Sequence, residues 1–365
     1  MKKDRILILG ATGAIGIYLT PLVASMPGVR TYATSRSATH THTHTQPVSW
    51  FHCDAKDADA LRRILSGHHF NAVIDFMNYS TAEFKDRADW LVKHTDHYLF
   101  LSSARVFDHS PGAALTEESP RLLDTTTDKT YLRTDEYALS KARQENILRS
   151  LPRTNWTILR PYITYSTNRF QFGTLEADSI FHRARIGLPI SLPVGMDERL
   201  TTLTWAGDVA RMICSIILEP GAFGQDFNLA RPTPVSWTRV GEMYSDALGL
   251  RWAADSSLRR FTSFIGGRYQ VVYDRMFDRV FASNKISSFA GAIQFKSLSD
   301  GLNAELSNAG SGVSPPNWFK EGGMDRLVGA RQATRKLPAR DKLRYALGRH
   351  PTLRPTVRVL RRALP

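Results

Sequence analysis

Cysteine is nearly absent. The 365 residues hold only Cys53 and Cys214, which fall in an expected strand and an expected helix. Two such residues exclude a disulfide framework and fit a reducing compartment. Long apolar stretches are also missing: no run reaches 18 residues, so no membrane-spanning helix is expected. The opening MKKDRILILGATGAIGIYL imitates a signal peptide, but glycines at 10, 13 and 16 interrupt its apolar run. A cytoplasmic protein is therefore expected. Acids are scarce beside bases, 34 against 48, for a net charge of +14. The imbalance is local. Residues 331–365 carry eleven Lys or Arg and one acid, Asp341, a net of +10 that leaves +4 for the first 330 residues. Basicity thus belongs to a tail and says little about the body of the chain.

Apolar residues at 42% and charged residues at 22% are those of an ordinary globular protein. The length suits one large and one small lobe better than a single core. Strands are predicted at 5–9, 29–34, 48–53, 71–76, 97–102 and 155–160, alternating with helices near 14–25, 57–66, 81–94 and 133–150. This alternation reads as α/β, a Rossmann-type doubly wound parallel sheet. Residues 1–160 form the nucleotide-binding domain in this reading, with segments returning from 200–235. A smaller mixed C-terminal lobe spans 161–330, and a tail 331–365. Helices near 174–187, 207–219 and 236–248 and strands at 190–192 and 226–229 are expected in the second half. Pro21 lies inside the first helix, where it should kink or shorten it.

Residues 6–16 read ILILGATGAIG. An unbroken apolar run suits a strand buried on both faces. Gly10 permits the tight turn out of it, Gly13 lets backbone approach a phosphate, and Gly16 lets the next helix pack close. The amides of Thr12, Ala14 and Ile15 at the helix start then face a pyrophosphate. Residues 137–141 read YALSK, which puts the Tyr137 phenol and the Lys141 ammonium on one helix face. An ammonium beside a phenol favours the phenolate, as a tyrosine that moves protons requires.

The glycine spacing, followed some 120 residues later by Tyr-x-x-x-Lys, resembles the extended short-chain dehydrogenase/reductase family of nucleotide-sugar epimerases, dehydratases and reductases. The likeness covers about residues 4–305. Leu101-Ser102-Ser103-Ala104-Arg105-Val106-Phe107 resembles the family's Ser-Ser-x-x-Val-Tyr strand end, which makes Ser103 the catalytic hydroxyl. The resemblance implies that Tyr137 moves the proton of the substrate hydroxyl. Lys141 then assists it and holds the nicotinamide ribose, and Ser103 hydrogen-bonds the reacting oxygen. It also implies an Asp54 contact to the adenine and a homodimer through the helices at 81–94 and 133–150. Asn78 replaces the family's small residue beside the nicotinamide, where it either bonds substrate or cofactor or caps the next turn. The family's diphosphate-binding Asn is replaced by Ile163, and its Arg seven residues before Asp208 by Thr201. Arg183 and Arg199 are left as candidates to grip a substrate diphosphate.

The second strand selects between cofactors. A ribose 2′-hydroxyl wants an acid at its end, a 2′-phosphate an arginine. Here Thr34-Ser35-Arg36-Ser37 offers no acid, so Ser35 and Arg36 favour NADP over NAD within an NAD(P) assignment. No metal site is expected: Asp54 has no partner carboxylate, and the alternating histidines of Thr39 to Thr45 read as a polar loop. In the family's dehydratases an acid follows the catalytic hydroxyl. Ala104 and Arg105 stand there here, which disfavours dehydration. An epimerase comes first and an NADPH-dependent 4-keto-sugar reductase second. A non-enzymatic RNA-binding or regulatory protein stays open as a third class, disfavoured by the presence of Ser103, Tyr137 and Lys141. In the tail, Leu353, Val357, Leu360 and Leu364 form an apolar stripe beside Arg354, Arg358, Arg361 and Arg362. That pattern fits a peripheral anionic membrane surface or a partner, against a helix docked on its own domain or a disordered tail; with Tyr345 as the tail's only aromatic, nucleic acid fits less well.

Overall fold

A computed structural model describes residues 3–37, 47–109, 112–309 and 314–351. The chain divides into two compact units, the first built from residues 1–166, 202–234 and 280–301, the second from 167–201, 235–279 and 302–365.

In the first unit, β1 (Asp4–Leu9), β2 (Val29–Ser35), β3 (Val48–His52), β4 (Phe70–Asp75), β5 (Thr95–Leu101), β6 (Trp156–Pro161) and β7 (Gln225–Leu229) form one sheet. The order is β7-β6-β5-β4-β1-β2-β3, parallel throughout. Successive residues of a strand face opposite sides, so an all-apolar strand needs a core on both. β1 shows this directly. Ile6 and Ile8 enter one core with Leu19, Val23, Val209 and Ile213, from α1 (Gly16–Ser25) and α5 (Ala206–Cys214). Leu7 and Leu9 enter the other, with Leu61 and Ile64 of α2 (Ala58–Gly67) and Phe84 and Leu91 of α3 (Thr81–Lys93). Helix α4 (Tyr137–Arg149) packs beside α3. α1 runs through Pro21 and ends at Ser25.

β1 lies between β2 and β4, so successive connections leave it toward opposite edges of the sheet. Loops after neighbouring strands diverge at such a switch point and open a crevice at the carboxyl ends. The turn after β1 and the Asp75–Asn78 segment after β4 both begin there.

The second unit pairs Ile190–Pro193 in parallel with Trp252–Ser256 and Leu200–Thr201 antiparallel with Val235–Ser236. Around these lie the helices Ala177–Ile186, Trp237–Leu248, α6 (Leu258–Ile265), α7 (Trp318–Leu327) and α8 (Ala339–Arg349). α7 and α8 cross at glycines. A methyl group on Gly322 would overlap the Tyr345 carbonyl, and one on Gly348 the Phe319 carbonyl. Residues 331–351 therefore belong to a packed helical unit, where a separate tail was expected. The histidine run at 39–45 and the apolar stripe from Leu353 to Leu364 lie outside the described residues.

Candidate active site

The turn after β1 is shaped by its glycines. Gly10 has φ +80°, the left-handed region, and its N–H donates to Thr34 Oγ1 at 3.2 Å. The Gly13 N–H closes the turn on the Gly10 carbonyl at 3.0 Å. A methyl group on Gly16 would overlap the backbone of Ala11, so only glycine fits. Ile15 caps α1 without a side-chain acceptor, and among the described residues the amides of Thr12, Ala14 and Ile15 meet no protein acceptor. Unsatisfied amides at a helix start, above a turn that side chains cannot fill, suit a dinucleotide's pyrophosphate.

At the end of β2, Ser35 is buried and its Oγ accepts the Ser37 N–H at 3.1 Å. Arg36 is exposed and has no carboxylate partner among the described residues. Asp54 is exposed, its carboxylate accepting the Lys56 N–H at 2.9 Å, and Asn78 is exposed after β4. Among the described residues no three His, Cys, Asp or Glu side chains gather as a metal site.

Ser103, Tyr137 and Lys141 come together around β5 and the start of α4. The chain leaves β5 at Leu101, and Ser103 heads a 3-10 turn in which its Oγ accepts the Arg105 N–H at 3.2 Å. The Arg105 guanidinium sits 5.2 Å from the Tyr137 ring centroid and donates to Glu136 at 2.7 Å. Glu136 is itself the N-cap of α4, accepting the Ala138 N–H at 2.9 Å. One turn on, Lys141 Nζ lies 5.9 Å from the same ring, 4.8 Å from that of Phe100, and donates to the Leu101 carbonyl at 2.8 Å. Burial drives the Lys141 ammonium down to about 8, against the pull of Asp75 and Glu145 toward the charged form.

Those two carboxylates were missed in the sequence. Asp75 ends β4, fully buried, and accepts from Tyr98 at 2.8 Å, Tyr79 at 3.1 Å and the Met77 N–H at 2.9 Å. Burial raises its carboxyl above the usual range despite these donors and Lys141. Glu145, one turn beyond Lys141, takes Arg160 bidentately at 2.8 Å twice and the Ser102 hydroxyl at 2.6 Å. Burial pushes Glu145 up, yet Arg160 and Ser102 outweigh it and hold the carboxyl at about 2. An acid closing an apolar strand, and one four residues past a buried lysine, were the signals available.

The two arginines proposed for a diphosphate fare differently. Arg199 is exposed in the second unit. Arg183, in the same unit, is 0% exposed, bound to Glu321 at 2.9 Å, Asp325 at 3.0 Å and the Pro189 carbonyl at 2.9 Å. A guanidinium with no exposed surface, its Nη1 already held by two carboxylates, is closed to a ligand from solvent, so the expectation of a substrate contact there is corrected: Arg183 is part of the framework.

A family model, the NAD dependent epimerase/dehydratase family, matches residues 6–230. The chain belongs to that family. Solved structures agree on the fold. A putative epimerase from Burkholderia cenocepacia matches at TM-score 0.61 and 19% identity, over 85% of this chain and 99% of that one. UDP-glucose 4-epimerase from Bifidobacterium longum, in complex with NAD+ and UDP, matches at 0.61 and 17%, over 84% and 98%. A human epimerase family protein with NADPH matches at 0.60 and 15%, over 83% and 99%. No curated protein sequence matches the chain. As a member of this family the chain is an NAD(P)-dependent epimerase/dehydratase-type enzyme.

Proposed function

We propose that the protein is an epimerase-type oxidoreductase acting on a nucleotide-linked sugar. The observation that carries this reading is the Ser103, Tyr137 and Lys141 constellation, joined through Arg105 and set on the sheet that carries the Gly10–Gly16 turn. In this reading Gly10, Gly13 and the amides of Thr12, Ala14 and Ile15 hold the pyrophosphate, and Asp54 the adenine. Ser35 and Arg36 take a 2′-phosphate, while Asn78 and Lys141 border the nicotinamide ribose. The bound nicotinamide supplies the hydride acceptor and donor. Tyr137 takes the proton of the sugar hydroxyl and returns it, while Ser103 donates a hydrogen bond to the same oxygen. Lys141, a positive charge 5.9 Å from the ring, stabilises the phenolate formed in that exchange.

The second reading is a 4-keto-sugar reductase, and Arg36 favours it: an exposed arginine with no acid on its strand end suits NADPH. The Arg105 cation occupies the position where the family's dehydratases carry an acid, which argues against dehydration. A homodimer through α3 and α4 follows the family's habit.

The test is to denature protein purified without added cofactor and to identify the released dinucleotide by mass and absorbance. Near-stoichiometric NAD(H) supports the epimerase, which recycles its cofactor, and removes the Arg36 argument. An empty protein that binds NADPH over NADH supports the reductase. Binding of neither overturns both. With an active nucleotide sugar in hand, Tyr137→Phe should lower kcat by about 10²–10⁴ while leaving dinucleotide affinity in place.

A further inference from the structure

The second unit ends in a basic surface that dinucleotide chemistry does not use. Between residues 331 and 351 the chain carries seven Lys or Arg and one acid, Asp341. Arg331, Arg335, Lys336, Arg340, Lys342 and Arg344 are exposed; among the described residues the acid's ion-pair partner is Arg344, at 3.8 Å. The helix bearing half of them is firmly seated. Tyr345 reaches inward to Asp325 at 2.6 Å, Arg349 donates to the Ala330 carbonyl at 2.6 Å, and the glycine crossing holds α8 against α7. A fixed inner face leaves the cations on the outer one. Leu343 stands among them, 46% exposed, which makes it one of four large apolar side chains so exposed among the described residues. Two of the others belong to the same unit near α6, which packs on both α7 and α8. Leu258 begins α6 beside exposed Arg259 and Arg260, and Val194, 62% exposed, is tied to the Ser256 carbonyl at 2.9 Å. Residues 352–365 add four arginines and no acid.

We infer that this α8 surface docks the protein onto an anionic phospholipid membrane, with the cations on the headgroups and Leu343 in the interface. Charge complementarity is the argument. Clustered Lys and Arg are attracted to acidic lipid within a Debye length, and an exposed leucine among them adds burial that a purely ionic contact lacks. Nucleic acid fits less well. Tyr345 is the only Phe, Trp or Tyr of residues 331–351, and it is buried, so the segment offers none of the large rings on which bases stack best.

The experiment is co-sedimentation of the full-length protein with vesicles of phosphatidylcholine alone or with about 30% phosphatidylserine, at low and high salt. Binding only to the acidic vesicles, lost at high salt, is expected. The triple variant Lys336→Gln/Arg340→Gln/Lys342→Gln should weaken it roughly a hundredfold, at about fivefold per cation. Leu343→Ser should weaken it roughly tenfold at unchanged charge. Both variants change exposed side chains, and an unchanged melting curve verifies folding. No sedimentation of the wild type with acidic vesicles would overturn the inference. Equal binding to neutral vesicles, or full binding by both variants, would do the same. So would displacement from acidic vesicles by a single-stranded RNA oligomer at salt where the vesicles otherwise hold the protein, which would reassign the surface to nucleic acid.

Discussion

Two buried cations, one in each unit, live in opposite electrostatic settings. Arg183 is enclosed by the carboxylates of Glu321 and Asp325, which are buried as completely as it is. Ser179 donates to Glu321 at 2.7 Å, Gln332 to both acids, and Tyr345 to Asp325. Lys141 has one hydrogen bond, to a backbone carbonyl, and feels its two acids only from a distance. Glu145 is already claimed by Arg160, and Asp75 by two tyrosines and an amide. The first arrangement pins a charge permanently and ties helix 177–186 to α7. The second leaves a charge that can leave. Direct contact with two counter-charges marks a structural ion; burial with its acids held at a distance marks one placed to titrate.

Removing each cation tests that contrast, and the largest effect should come from Arg183. Arg183→Met strands two carboxylates without a counter-charge and should cost about 3–5 kcal/mol in urea unfolding. Adding Glu321→Gln and Asp325→Asn to that variant should restore much of the loss. Lys141→Met removes a charge that the fold already disfavours, so stability at neutral pH should stay within about 1 kcal/mol of wild type. Equal losses from the two single variants would break the comparison.

A somewhat smaller effect should appear as pH rises. Lys141 titrates at about 8 in the folded protein, below the 10.5 of an unhindered lysine. Between those values the unfolded chain binds a proton that the native state does not, so the native state is disfavoured as pH falls from 10.5 toward 8. Below 8 both states are charged and the penalty is constant. Relative to Lys141→Met, the wild type should therefore gain stability from pH 8 to 10.5, by about 3 kcal/mol at most. Parallel stability curves for the two proteins over that window would show that Lys141 is not held as described.

The fold was far more legible than the site. Strands such as Ile6–Leu9, buried on both faces, announce themselves as apolar runs, and of the glycines that follow, Gly10 carries a positive φ and Gly16 a contact with the Ala11 backbone that no side chain can meet. Local patterns suffice for these. The partners of Lys141 depend on contacts across the sheet: Asp75 is on β4 and pairs in register with Phe100 of β5, and Arg160 reaches Glu145 from β6. No spacing in the sequence encodes those meetings. Arg183 went astray for the same reason. An arginine on a predicted helix of the substrate lobe looks like a ligand-gripping residue until the helix 138 residues later delivers Glu321.

The smallest effect concerns Arg105, a cation in neither extreme. Its guanidinium covers the Tyr137 ring and is anchored by Glu136, the residue that caps the helix Tyr137 begins. The side chain is little exposed, at 13%, so the pair is better shielded than a surface salt bridge. Its backbone amide holds Ser103, a contact that survives replacement of the side chain by alanine or lysine. Arg105→Ala should therefore leave Ser103 in place and loosen only the phenol. A cation on a ring face contributes about 0.5–2 kcal/mol, so kcat should fall roughly tenfold with KM for the nucleotide sugar little changed. Arg105→Lys keeps the charge but replaces the planar guanidinium over the Tyr137 ring by a compact ammonium, and should recover only part of the loss. If Arg105→Ala raised KM and left kcat alone, the side chain would be gripping substrate, and its stack on Tyr137 would be incidental.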